Sequence, residues 1–183
     1  ERRTEIQRII GAVLFFARAL DLTNLVSLSS LASEQTKATE MTEAKCQQLL
    51  DYLATHPNPV IRFYASDMIL NIHSDASYLS EPKAMSRVGG YFFLGSIPKH
   101  NQPIRLNGPI HIVASILKFV VASAAEAELG GLFVNCKEGK IIRLILEELG
   151  HPQPPTPVHC DNATAVGIAN DTIKKHRSRS MEM

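Results

Sequence analysis

Met68-Ile69-Leu70-Asn71-Ile72-His73, residues 68–73, marks the point where the hydrophobic period of the chain changes. Upstream, apolar residues return every three or four positions. Here they form a short, partly alternating run, the pattern of a strand with at least one buried face. Two similar runs follow, Ser86-Arg87-Val88-Gly89-Gly90-Tyr91-Phe92-Phe93-Leu94 and Pro109-Ile110-His111-Ile112-Val113-Ala114-Ser115. Their short connections predict an antiparallel meander. Residues 123–149 then read as the strongest helix of the chain, with Ser123 as its cap and Gly150 as its stop. Gly130, Gly131 and Gly139 weaken or bend that helix. His151-Pro152-Gln153-Pro154-Pro155-Thr156-Pro157 has to be an extended connector. Val158-His159-Cys160-Asp161 reads as a short strand, and residues 162–169 as a short helix. The predicted order is βββαβα, an α/β (mixed) fold class with a mixed sheet.

The region before residue 68 is helical in period. Ile6, Ile9, Ile10, Val13, Leu14, Ala17 and Leu20 form one stripe, and Leu25, Leu28, Leu31 and Ala32 a second. A third, with Thr42 as the expected N-cap, carries Leu49, Leu50 and Leu53. His56-Pro57-Asn58-Pro59 stops it, because proline removes a donor and restricts the residue before it. The expected division is therefore residues 1–60 as a helical segment and 61–183 as an α/β domain. A chain of 183 residues with 45% apolar and 20% charged residues can build a packed core. Its net charge of +1 argues neither for nor against nucleic acid. No apolar run of about 18 residues exists to span a bilayer, and the first residues lack a signal-peptide pattern. Cys46, Cys136 and Cys160 are far apart with no CxxC pair, which fits reduced, idle thiols in an intracellular protein.

Three carboxylates stand at positions where chemistry collects. Asp75 lies past the apolar part of the first strand, Asp161 ends the fourth, and Glu128 sits in the first turns of the long helix. They converge if the two strands are neighbours and the helix packs across them. Carboxylates held together repel one another unless cations intervene. Hard divalent ions with oxygen ligands suit them, and Mg²⁺ is usual where phosphate is handled. Two such ions can activate a water and stabilise the leaving oxygen in phosphodiester cleavage. Read singly, each residue has a plainer explanation: an Asp in a turn is ordinarily an Asx turn or cap, and a Glu in a first turn answers the helix dipole. Glu126 and Glu128, two apart, face different sides of the helix, so only one of them can serve a given site.

The motifs carry more than the spacing. His73-Ser74-Asp75-Ala76-Ser77-Tyr78, then Ser123-Ala124-Ala125-Glu126-Ala127-Glu128-Leu129, then His159-Cys160-Asp161-Asn162-Ala163-Thr164-Ala165 together resemble the ribonuclease H domain of copia-type LTR retrotransposons. Upstream, Ile9-Ile10-Gly11-Ala12-Val13-Leu14 through Asp21 resembles the segment that follows the polymerase palm in these polyproteins. The helices up to Asn58 look like the thumb or connection of the reverse transcriptase. The resemblance implies a ribonuclease H-like core and cleavage of the RNA strand of RNA–DNA hybrids. It implies Asp75, Glu128 and Asp161 as catalytic, metal-binding residues, with Glu126 as the alternative to Glu128. Ser77 and Asn162 would contact the hybrid backbone. Two Mg²⁺ ions are the implied cofactor, with Mn²⁺ able to substitute. The implied partners are the hybrid and the polymerase portion of the same polyprotein, in a cytoplasmic virus-like particle or the nucleus, with no membrane.

One departure qualifies this. The family's fourth carboxylate lies in an "A-D" well beyond the third motif, whereas this sequence reaches Met183, and Asp171 and Glu182 are too close to the third motif to replace it. The expectation is a domain truncated at its C-terminus with a weakened second metal. A different class of function follows from that loss: a catalytically inactive retroelement-derived fragment acting as a nucleic-acid-binding or structural scaffold. His73, His111 and His159 read as structural histidines, because metals rather than a base would generate the nucleophile. Arg87 and Lys118 read as solvated surface, as does the basic run Lys174-Lys175-His176-Arg177-Ser178-Arg179.

Overall fold

A computed structural model describes residues 2–97 and 102–173. The basic run at 174–179 and Glu182 lie outside the described residues. The chain divides into two compact units, Glu1–Ile61 and Arg62–Met183. Among the described residues it is mixed α/β, with five α-helices and one four-stranded mixed sheet. No helix of the described residues is long and apolar enough to cross a membrane.

The first unit holds α1 (Arg2–Ala19), α2 (Leu25–Glu34) and α3 (Glu40–Thr55). Ile6, Ile10, Val13 and Ala17 give α1 a buried stripe at helical spacing, and Leu25, Leu28 and Leu31 do the same for α2. Leu14 and Leu20, expected in that stripe, are exposed. Asp21 is buried and accepts from the Thr23 backbone N–H and hydroxyl and from the Asn24 amide, closing the turn between α1 and α2. The N-cap of α3 is Thr39, not Thr42. Thr42 stands three residues on and completes a reciprocal capping box, its hydroxyl accepting from the Thr39 N–H at 3.2 Å.

The second unit follows the order β1 (Ile69–Glu81), β2 (Met85–Gly95), β3 (Pro109–Ile116), α4 (Ala124–Glu148), β4 (Val158–His159) and α5 (Ala163–Ala169). In space the sheet runs β3-β2-β1-β4. β1–β2 and β2–β3 are antiparallel, and β4 joins the other edge of β1 in parallel through Ile72↔Val158 and His73↔His159. A crossover through α4 makes that parallel pairing possible, since no tight turn can return a chain in parallel.

Helix α4 packs on the sheet face formed by alternate residues of β1. Leu70, Ile72 and Phe92 join Leu146 in one buried cluster, and Val88, Leu117 and Ala127 form a second. Two glycines set the closeness of the approach. A Cβ at Gly139 would lie 2.4 Å from Ile72 Cδ1, and one at Gly131 would lie 3.3 Å from Ala76 Cβ. Between them, fully buried Asn135 donates to Ser74 Oγ at 2.9 Å and to the Gly89 carbonyl at 2.8 Å.

The proline-rich connector cannot donate a regular ladder to the edge of β1. Gln153 does so with its side chain: its Oε1 accepts from Leu70 N–H at 2.9 Å and its Nε2 donates to the Met68 carbonyl at 2.9 Å. The Arg143 guanidinium of α4 donates to the carbonyls of Gln153 and Pro154. These bonds fix where β4 starts, and hence where the residues just after it emerge.

Candidate metal centre

The three expected carboxylates come from three elements. Asp75 is exposed on β1, opposite Gly89 of β2. Glu128 lies in the second turn of α4 and is 6% exposed. Asp161 is exposed and stands two residues beyond the end of β4. The β4 ladder stops at His73↔His159, so the backbone of β1 beyond His73 has donors to spare on that edge. One is used by the site: Ala76 N–H donates to Glu128 Oε1 at 3.2 Å.

The second Glu128 oxygen meets a group read from sequence as an idle thiol. Cys160 Sγ donates to Glu128 Oε2 at 3.6 Å. One ligand atom from each of Glu128, Cys160 and Asp161 lies within 4.8 Å of the others. Asp75 does not belong to that tight group, yet its charge is felt. Burial pushes the Glu128 carboxyl above the usual carboxylate range; the Ala76 N–H pulls it back, Asp75 pushes it up, the Cys160 thiol lowers it, and Asp161 raises it again. Burial likewise raises the Cys160 thiol, the Asn162 backbone N–H lowers it, and Glu128 raises it. A buried carboxylate pressed by two further acids has an unsatisfied demand for positive charge, and this donor set fits a divalent cation.

Glu126 is turned to a different task. Its Oε2 accepts from Ala122 N–H at 2.7 Å and its N–H donates to the Ser123 hydroxyl at 3.2 Å, which closes the start of α4. Ser77 is exposed on β1 and shares a 2.5 Å hydrogen bond with Ser80. Asn162 is the N-cap of α5, its Oδ1 accepting from Ala165 N–H at 3.0 Å. Arg87, read as solvated surface, is 9% exposed and pairs with Glu81 at 2.7 Å.

Sequence reasoning passed over Cys160, Gln153 and Arg143. The signal for Cys160 was its place directly before Asp161; for the other two, only long-range contacts define the role.

His73 and His159, on paired strands, have ring centroids 4.8 Å apart, and both Nε2 atoms are buried without a hydrogen-bond partner. Burial lowers both imidazoles below the usual histidine value, and His73 lowers His159 further. No protein-family model, curated protein or solved structure matches the chain.

Proposed function

We propose that the second unit is a metal-dependent nuclease of ribonuclease H type, cutting the RNA strand of RNA–DNA hybrids, within a copia-type retrotransposon polyprotein. The observation that carries this reading is Glu128 hydrogen-bonded to the Ala76 N–H, next in the chain to Asp75, with a carboxylate oxygen in the same 4.8 Å group as Asp161 at the edge of β1 that β4 leaves open. The three motifs in order and the βββαβα succession support it. The first unit then corresponds to the thumb or connection of the polymerase, and the setting is the intracellular one of retroelement replication.

Asp75, Glu128 and Asp161 would hold Mg²⁺, or Mn²⁺ in its place. When bound, the ions supply Lewis-acid activation of a water and of the leaving 3′-oxygen. The chain's own residues do the rest. Ala76 N–H holds one Glu128 oxygen in place, so the carboxylate is oriented before any cation arrives. Gln153 and Arg143 fix the connector that delivers Asp161. Ser77 and Asn162 flank the acids in sequence and would contact the backbone of a hybrid, whose RNA strand is distinguished by its 2′-hydroxyls.

A second reading, an inactive nucleic-acid-binding scaffold, is favoured by the position of Asp75 outside the tight ligand group. Incubating a labelled RNA–DNA hybrid with the chain and its Asp75→Asn variant, in Mg²⁺ or Mn²⁺, separates the two. Cleavage of the RNA strand by the chain, lost in the variant, is expected. A folded chain that binds hybrid and leaves it uncut makes the scaffold the better reading.

A further inference from the structure

We propose that Cys160 is a metal ligand, and that its sulfur makes the Glu128–Cys160–Asp161 group a site for thiophilic divalent cations of the zinc class. This rests on the reading of Glu128 and Asp161 as metal ligands and adds a donor which that reading does not contain.

An all-oxygen site suits hard ions such as Mg²⁺, whereas a thiolate shifts preference toward Zn²⁺ and its soft analogues. The Zn–S bond is about 2.3 Å and Zn–O about 2.1 Å, so a sulfur and an oxygen spanning a tetrahedral angle lie about 3.6 Å apart. Cys160 Sγ and Glu128 Oε2 are 3.6 Å apart. The hydrogen bond therefore already holds the two atoms at the edge length of a zinc tetrahedron, and a cation can take the proton's place between them. Asp161 supplies the third donor within the same 4.8 Å group. The Sγ–H bond breaks as the sulfur–metal bond forms, and the proton leaves to solvent. Three protein ligands leave a fourth position for water, the arrangement of zinc sites with an open position. The other thiols have no such company: Cys46 is buried in the first unit and Cys136 is exposed on α4, and neither joins a ligand group among the described residues.

The test is a titration of the full chain with Cd²⁺ alone, following the ultraviolet sulfur-to-metal charge-transfer absorption. The wild-type chain and Cys136→Ser are expected to develop the band at one equivalent. Cys160→Ser, which keeps the size and hydrogen-bonding of the side chain, should lose the band and bind Cd²⁺ at least about tenfold more weakly. Glu128→Gln should weaken it comparably, with circular dichroism verifying that both variants are folded. Absence of the band in the wild type, or its persistence in Cys160→Ser, overturns the assignment. The cleavage assay in Mg²⁺ is read separately. A Cd²⁺–sulfur band without hybrid cleavage leaves this inference standing and removes the nuclease reading. Cleavage without a band does the reverse.

Discussion

Successive residues of β1 meet two different interiors. Leu70, Ile72, Ser74 and Ala76 face α4, where contacts are mostly apolar; Asn135 donates its NH₂ group to Ser74 Oγ and the Gly89 carbonyl, while its Oδ1 is buried with no partner. Asn71 and His73 alternate to the other face, beside Tyr91, Phe93 and His159, a cluster of aromatic and imidazole rings. There Asn71 Oδ1 and the Nε2 atoms of His73 and His159 are buried with no partner. The α4 face holds the larger apolar clusters, with one such atom at Asn135, and the other face carries more of these buried, unpartnered polar atoms. The acids collect at the edge joining the two, where Glu128 reaches from α4 to the β1 backbone.

The comparison can be broken most directly at Phe92. It is fully buried against α4, and Phe92→Ala should cost about 3–5 kcal/mol in urea unfolding. A loss below about 1 kcal/mol would show that this face is not the core. Gly139→Ala inserts a Cβ 2.4 Å from Ile72 Cδ1. Overpacking of about 1–3 kcal/mol should exceed the roughly 1 kcal/mol that alanine gains in helix propensity, leaving a net loss. Gly11→Ala on α1, where nothing lies within 4 Å, should instead stabilise by about 0.5–1 kcal/mol.

The polar face should answer to pH. His73 and His159 titrate lower in the fold than when unfolded. Their neutral forms therefore contribute stability above the ordinary histidine value of 6.5, and it is lost as pH falls through the folded values. His159→Phe keeps the ring and removes the titration, so its unfolding midpoint should fall less between pH 6.5 and acid than that of the parent. An identical slope in both proteins would mean that the pair is not buried neutral. Glu128 has the opposite sign. Its raised carboxyl makes the metal-free fold less stable as pH rises from 4.5 through the folded value. Glu128→Gln should then unfold at a higher temperature than the parent at neutral pH without metal, a smaller effect than the others. A lower melting temperature would argue that the ionised carboxylate is already compensated.

How much of this could be read from the sequence depended on whether a feature was local. Ser123 as the α4 cap and the runs at 86–94 and 109–115, each within a residue of the strands formed, follow from period and capping chemistry, which need only near neighbours. The extension of β1 past Asp75 did not, because Tyr78, Leu79 and Ser80 are exposed and show no alternation. That extension is held by the hairpin with β2, by a register shift between Ser77 and Glu81, and by Leu79 at φ 51°. The fourth strand reads as four residues and forms over two, since Cys160 and Asp161 leave the sheet for the site and lead into Asn162, the cap of α5. Thr39 and Thr42 are both capping residues in type, and only the backbone at Thr39 decides between them. Asp75, Glu128 and Asp161 could be nominated from their motifs. Cys160 carried only the weak signal of standing directly before Asp161, because its partner lies 32 positions away in sequence.

Gly131 has a mechanical consequence. With no side chain, it seats α4 almost on the β1 backbone, where an added Cβ would be 3.4 Å from the Asp75 carbonyl. It is a fulcrum with unequal arms: Glu128 is about 4.5 Å away along the helix axis and Leu146 about 22 Å, at 1.5 Å per residue. A tilt that displaces the Leu146 end moves the carboxylate end by only about one-fifth as much. A tilt about that point leaves Glu128 nearly in register, while Arg143 on the long arm carries the connector that delivers Asp161, so loosening at Leu146 should shift Asp161 before it unseats Glu128.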